Sequence, residues 1–195
     1  SRRVDAVIAI VDAGNLRRNL YLVSQILETG RPVIIALNMT DVAAARGIRI
    51  DAISLGNRLG VPVIPISAQR RQGIDELRVA LAGVLAKPAQ NPAKAALPID
   101  LQAQVEHLVR FTAQRNGSPP LASAEALRAL VDIEGAAEER LVATRGSDMA
   151  SILTDMRAAV DTSVPLSAME SDARYRWVQQ MLDGTVELYI TFHKG

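Results

Sequence analysis

The chain has 195 residues, nearly half of them apolar, a formal net charge of +1 and no cysteine. That length allows one large domain or two small ones, and the apolar content excludes a disordered chain. Near-neutral charge gives no basic field for nucleic acid, and the missing thiols exclude disulfides, thiolate metal sites and cysteine nucleophiles.

Lysine occurs only at 87, 94 and 194, and the more numerous arginines are scattered, as expected of solvated helix faces. His107 and His193 are far apart, so no histidine-based metal site is expected. Apolar runs such as "VIAIV" and "VIIAL" are much too short to cross a bilayer, and no signal peptide opens the sequence. A soluble polypeptide of a reducing compartment is expected.

Residues 4 to 86 alternate strand and helix. "VDAVIAIVDA" is a β-branched run of the kind buried on both faces of a sheet. "NLRRNLYLVSQILETG" places Leu16, Leu20, Val23, Ile26 and Leu27 on one helical stripe, with Gly30 as a stop. "RPVIIALN" is a second strand, with Pro32 tolerated at its start. A polar segment follows, then the helical run "DAISLGNRLG", the buried strand "VPVIPISA" and the helix "GIDELRVALAGVLA". This order predicts a parallel α/β sheet with right-handed crossovers.

"KPAQNPAKAALP", spanning residues 87–97 and Pro98, lacks periodicity and reads as a linker. Beyond it "IDLQAQVEHLVRFTAQRNG" sets Ile99, Leu101, Val105, Leu108, Val109 and Thr112 at helical spacing. "SAEALRALVDI" offers Ser123 as N-cap, with Glu125 suitably placed in the first turn. "AAEERLVATRG", "SDMASILTDMRAAVDTS" and "SAMESDARYRWVQQML" complete an all-α helical bundle over residues 98–183. Residues 184–195 form an atypical tail. There Val186, Leu188, Ile190 and Phe192 alternate against Glu187, Tyr189 and Thr191, the pattern of a strand. The tail is either a non-native extension or an edge strand.

Ligands of open parallel sheets sit beyond the carboxyl ends of the strands. Here those ends are "VDAGN", "NMTD" and "SAQ". A carboxylate at Asp41 can accept both N1–H and the N2 amine of guanine, whereas adenine turns a lone pair toward it. Leaving that charged acceptor unpaired should cost on the order of 2–4 kcal/mol. Asn38 can brace the loop and reach the five-membered ring of the purine. Ser67 and Ala68 can supply a backbone N–H to the base's carbonyl oxygen. Asn-x-x-Asp and Ser-Ala are each common by chance, and Asp41 has the simpler reading of a helix N-cap. Their joint position after two buried strands, about thirty residues apart, favours a guanine reader. Yet no Gly-Lys pair exists, so there is no G-x-x-x-x-G-K-[ST] phosphate loop.

"IVDAGNLRRNLYLVSQIL", "RPVIIALNMTDVAAARGIRID" and "LGVPVIPISAQRRQGIDEL" together resemble the FeoB family of bacterial ferrous iron transport proteins. The resemblance covers residues 4 to 86. It includes Met39, where most small GTPases have Lys and FeoB proteins commonly have Met or Val; Met can cover a purine face as a Lys stem does. "SDARYRWVQQML" is similar to a helix that follows the FeoB GTPase domain. The resemblance therefore implies that residues 1–86 are the C-terminal portion of a P-loop GTPase domain. It likewise implies that residues 98–183 are the family's helical spacer, a GDP-dissociation-inhibitor-like domain.

Carried over by position, it assigns Asn38, Met39, Asp41, Ser67, Ala68 and Gln69 to guanine, with no catalytic residue and no metal ligand. It implies GTP or GDP as ligand, with Mg2+ in the intact protein held by residues outside this chain. The expected partners are the upstream phosphate-binding half of the domain and a membrane permease domain of the same protein. The expected location is the cytoplasmic face of the bacterial inner membrane. Alone, the chain is expected to be inactive in hydrolysis, either to self-associate through an uncovered sheet edge or to need the upstream half, and to bind GTP, GDP and guanosine weakly and alike. Two rival readings are a non-catalytic protein-interaction fragment and a ribosome-assembly GTPase. Against the latter, such proteins usually keep Asn-Lys-x-Asp and often carry a basic RNA-binding appendage.

Overall fold

A computed structural model describes residues 4–87, 90–115, 119–160 and 162–188. Contacts divide the chain into two compact units, residues 1–94 with 176–195, and residues 95–175.

The first unit is built on three parallel strands, β1 (Val7–Asp12), β2 (Val33–Asn38) and β4 (Val63–Pro65), in the order β1-β2-β4. Central β2 is apolar from Val33 to Leu37 and buried along that whole length, as a strand covered on both faces must be. Helix α1 (Leu16–Leu27) buries Leu16, Leu20, Val23 and Leu27, while Ile26 of the expected stripe is half-buried. Helix α3 (Ala52–Leu59) begins at Asp51, whose carboxylate accepts from the Ser54 N–H at 3.0 Å, and stops at left-handed Gly60. Helix α4 (Ile74–Ala86) follows β4.

Two short elements lie in the segment expected to be merely polar. They are α2 (Thr40–Ala45) and β3 (Ile48–Ile50). Strand β3 pairs antiparallel with β5 (Val186–Leu188), matching Ile48 to Leu188 and Ile50 to Val186. Ahead of β5, buried Thr185 accepts a hydrogen bond from the Asp51 N–H at 2.8 Å. The remainder of the tail's strand pattern, including Ile190 and Phe192, lies outside the described residues, as does His193.

The second unit is helical: α5 (Ile99–Ala113), α6 (Ser123–Val131), α7 (Ala136–Arg145), α8 (Met149–Ala158) and the first part of α9 (Leu166–Leu182). Leu101, Leu108, Leu130, Leu141, Met149 and Leu153 form its core. Two sequence expectations need correction here. Ile99 is 85% exposed, because it precedes Leu101 by two residues and so lies nearly opposite the buried stripe around α5. Ser123 is the first helical residue of α6, and extended Ala122 takes the N-cap position without a side-chain bond. Arg174, fully buried, pairs with Glu170, which Arg128 also engages, so each charge taken from water has a partner.

Candidate nucleotide-binding site

The sheet register brings the three strand ends to one edge, with Asp12 opposite Asn38 and Leu37 opposite Pro65. At the first end the Asp12 carboxylate is used locally, accepting from the Gly14 N–H at 2.8 Å and opening a 3-10 turn over Ala13–Asn15.

At the second end the chain leaves β2 through Asn38 and turns at Met39, whose backbone is left-handed at φ 62° and ψ 30°. A left-handed non-glycine residue carries local strain. Its effect is to start α2 at Thr40 and put Asp41 in the first turn. Thr40 Oγ1 donates to the Ile66 carbonyl at 3.2 Å and ties this turn to the end of β4. Met39 is exposed beside the loop.

The third end is a closed loop. Buried Ser67 and exposed Gln72 exchange backbone bonds, each N–H to the other's carbonyl, at 3.1 Å. Inside that closure Arg70 N–H donates to Ser67 O at 3.2 Å, and Arg71 adopts φ 55°. Gly73 leaves the loop at φ +77°; a Cβ there would lie 2.2 Å from the Pro65 carbonyl oxygen, so only glycine fits.

Two contacts join these loops. The Ala68 N–H donates to Asn38 Oδ1 at 3.1 Å. Arg70 Nε lies 3.0 Å from Asp41 Oδ2, with the Asp41 side chain 19% exposed and that of Arg70 64% exposed. Thus Asn38, Asp41, Ser67, Ala68 and Gln69 stand at one edge with Met39 beside them. The Ser67 and Ala68 N–H groups expected to face a ligand carbonyl already have protein partners, Gln72 O and Asn38 Oδ1. The exposed Gln69 N–H has no hydrogen-bond partner among the described residues.

Sequence reasoning missed Arg70. Its sole signal was the Arg-Arg pair at the loop tip, and nothing in a linear pattern matches that pair to a carboxylate thirty residues earlier. A neighbouring cavity of about 380 Å³ is lined by Leu37, Thr40, Ala43, Ala44, Ile48 and Pro65. It shares Thr40 with the turn but none of the polar groups that would read a base. Among the described residues no cluster of three His, Asp or Glu side chains could hold a metal, and His107 is exposed on α5.

The family profile described as "Ferrous iron transport protein B" matches residues 1–81. The Fe(2+) transporters FeoB of Salmonella typhimurium and Escherichia coli are 51% and 52% identical over 77 residues, 40% of this chain but 10% of each relative. Among solved structures, the cytosolic domain of L. pneumophila FeoB superposes with a TM-score of 0.78 at 30% identity, covering 95% of this chain and 69% of that one. An S. thermophilus NFeoB mutant bound to GMPPNP gives a TM-score of 0.80 at 27% identity, covering 93% and 70%. The parallel sheet, its strand-end loops and the agreement over two thirds of a solved FeoB cytosolic domain lead to one conclusion: the chain belongs to the FeoB family.

Proposed function

We propose that this chain carries the base-reading part of the guanine-nucleotide-binding domain of a ferrous iron transporter. The observation that carries the reading is the Ala68 N–H to Asn38 Oδ1 bond, which locks the two loops into one site beside the Asp41 carboxylate. Curated relatives named Fe(2+) transporter and FeoB structures bound to GDP or GMPPNP support it.

In this reading Asp41 accepts N1–H and N2–H of guanine. Asn38, with its oxygen engaged by Ala68, turns its NH2 group to the imidazole nitrogen of the purine. The Gln69 N–H donates to the base's carbonyl oxygen, Met39 covers one face of the ring, and Ser67 closes the loop that aims these groups. Each is a positioning contact, and no hydrolytic step is assigned to these residues.

The base end of GTP or GDP fits this donor set. A phosphate cradle and Mg2+ ligands are assigned to the upstream half of the domain, because no G-x-x-x-x-G-K-[ST] motif occurs in the sequence. The remaining partner is the membrane permease part of the same protein, which sets this segment at the cytoplasmic face of the inner membrane. No helix among the described residues is long and apolar enough to cross a membrane.

The test is an amide-resolved NMR titration with guanosine, inosine and adenosine. Guanosine should shift Met39, Ala68 and Gln69, inosine less for want of the N2 amine, and adenosine not at all. Equal responses to guanosine and adenosine would refute the reading. GTP and GDP should bind this chain no more than a few-fold better than guanosine.

A further inference from the structure

The carboxylate assigned to guanine already has a partner. Arg70 Nε sits 3.0 Å from Asp41 Oδ2, and the two groups come from different strand-end loops. The chemistry of the two candidate partners is the same. Guanine presents N1–H and N2–H on its guanidine-type carbon C2; arginine presents Nε–H and Nη–H on a guanidinium carbon. Both are planar pairs of parallel donors suited to one carboxylate.

Nor is the placement of Arg70 a matter of a loose side chain on a loose loop. The reciprocal Ser67–Gln72 bonds, the Arg70 N–H to Ser67 O bond and left-handed Arg71 hold its backbone in one course over Asp41. Its guanidinium remains largely solvated, so the pair is weak enough to open.

We propose that Arg70 is an intramolecular stand-in for guanine: it pairs with Asp41 and must leave when the base enters. This rests on the base-reading role of Asp41. It makes Arg70 a positioning residue that sets affinity and release through Asp41, without itself joining the bound base. A competing ion pair of this exposure lowers base affinity by about two- to five-fold. Because salt screens the competitor while guanosine is uncharged, guanosine binding should strengthen as salt rises, opposite to the trend for a charged ligand.

The experiment is guanosine titration, with adenosine as comparator, of the wild-type chain, Arg70→Gln and Arg70→Lys at about 50 mM and about 500 mM NaCl. Wild type should bind guanosine selectively and gain affinity with salt. Arg70→Gln should bind about two- to five-fold more tightly at low salt and lose the salt dependence. Arg70→Lys, which keeps the charge without the planar fork, should fall between them and keep part of the salt dependence. Selective wild-type binding with Arg70→Gln unchanged or weaker, or with the same salt slope in both chains, overturns the proposal and spares the base reading. Guanosine and adenosine binding alike to wild type overturns the base reading and the proposal together.

Discussion

Gly73 shows how one residue can set the geometry of the loop that follows β4. Its φ of +77° and the 2.2 Å that would separate a Cβ from Pro65 O exclude every side chain without backbone movement. Gly73→Ala should therefore destabilise the first unit by about 2 kcal/mol or more and weaken guanosine binding, read by thermal melting and titration together. A very different residue, Glu138, reports on the helical unit. Its carboxylate pairs with Arg157 at 2.6 Å, and Arg157 also donates to the Ala129 and Leu130 carbonyls at 2.7 and 3.0 Å. The Arg157 bond holds the Glu138 carboxyl below its ordinary value of 4.5, so the unfolded state takes up this proton more readily than the folded state. The pair's stabilisation is complete above that ordinary value and is lost as pH falls through the lowered native one. Glu138→Gln should cost about 1–2 kcal/mol near neutrality, and the gap from wild type should shrink as melts are repeated toward about pH 3. At this scale the placement of Asn38, Asp41 and Ser67–Ala68 at strand ends was legible, because each motif directly follows a buried strand. It could not announce Arg70, or show that Ala68 bonds Asn38, because side-chain pairing between loops leaves no periodic mark.

Among the elements, the long periodic ones were legible. Strand β2 and helices α1, α3 and α4 fall where β-branched runs and the Leu16–Leu20–Val23–Leu27 stripe place them. Strand β3 was not, since three residues are too few for an alternation to show, and its partner β5 is far along the chain. Strand β5 was legible only as an alternation without an assigned neighbour. The pairing gives it a measurable role: ending the chain after Asp183 removes the β3–β5 ladder and the Thr185 bond to Asp51. The first unit's melting temperature should drop by roughly 5 °C, by circular dichroism or calorimetry. No change in melting would mean that the ladder contributes nothing to the unit.

At the scale of the whole molecule, the open side of β1 carries exposed apolar residues. Among the described residues β1 pairs on one side only, and Ile10 on its outer face is 70% exposed although Ala36 beside it in register is buried. An open apolar edge of this kind is an association surface. Light scattering should show concentration-dependent self-association of the chain, and Ile10→Lys should shift it toward monomer with little change in melting temperature. Whether Asp41 reads guanine is decided by Asp41→Asn. A carboxamide replaces one acceptor with a donor, so it suits xanthine, which carries a carbonyl where guanine carries the N2 amine. The measurement is competitive titration of wild type and Asp41→Asn with guanosine and xanthosine. A reversal is expected, guanosine preferred by the wild type and xanthosine by the variant; an unchanged guanosine preference in Asp41→Asn would contradict a base-reading role for Asp41.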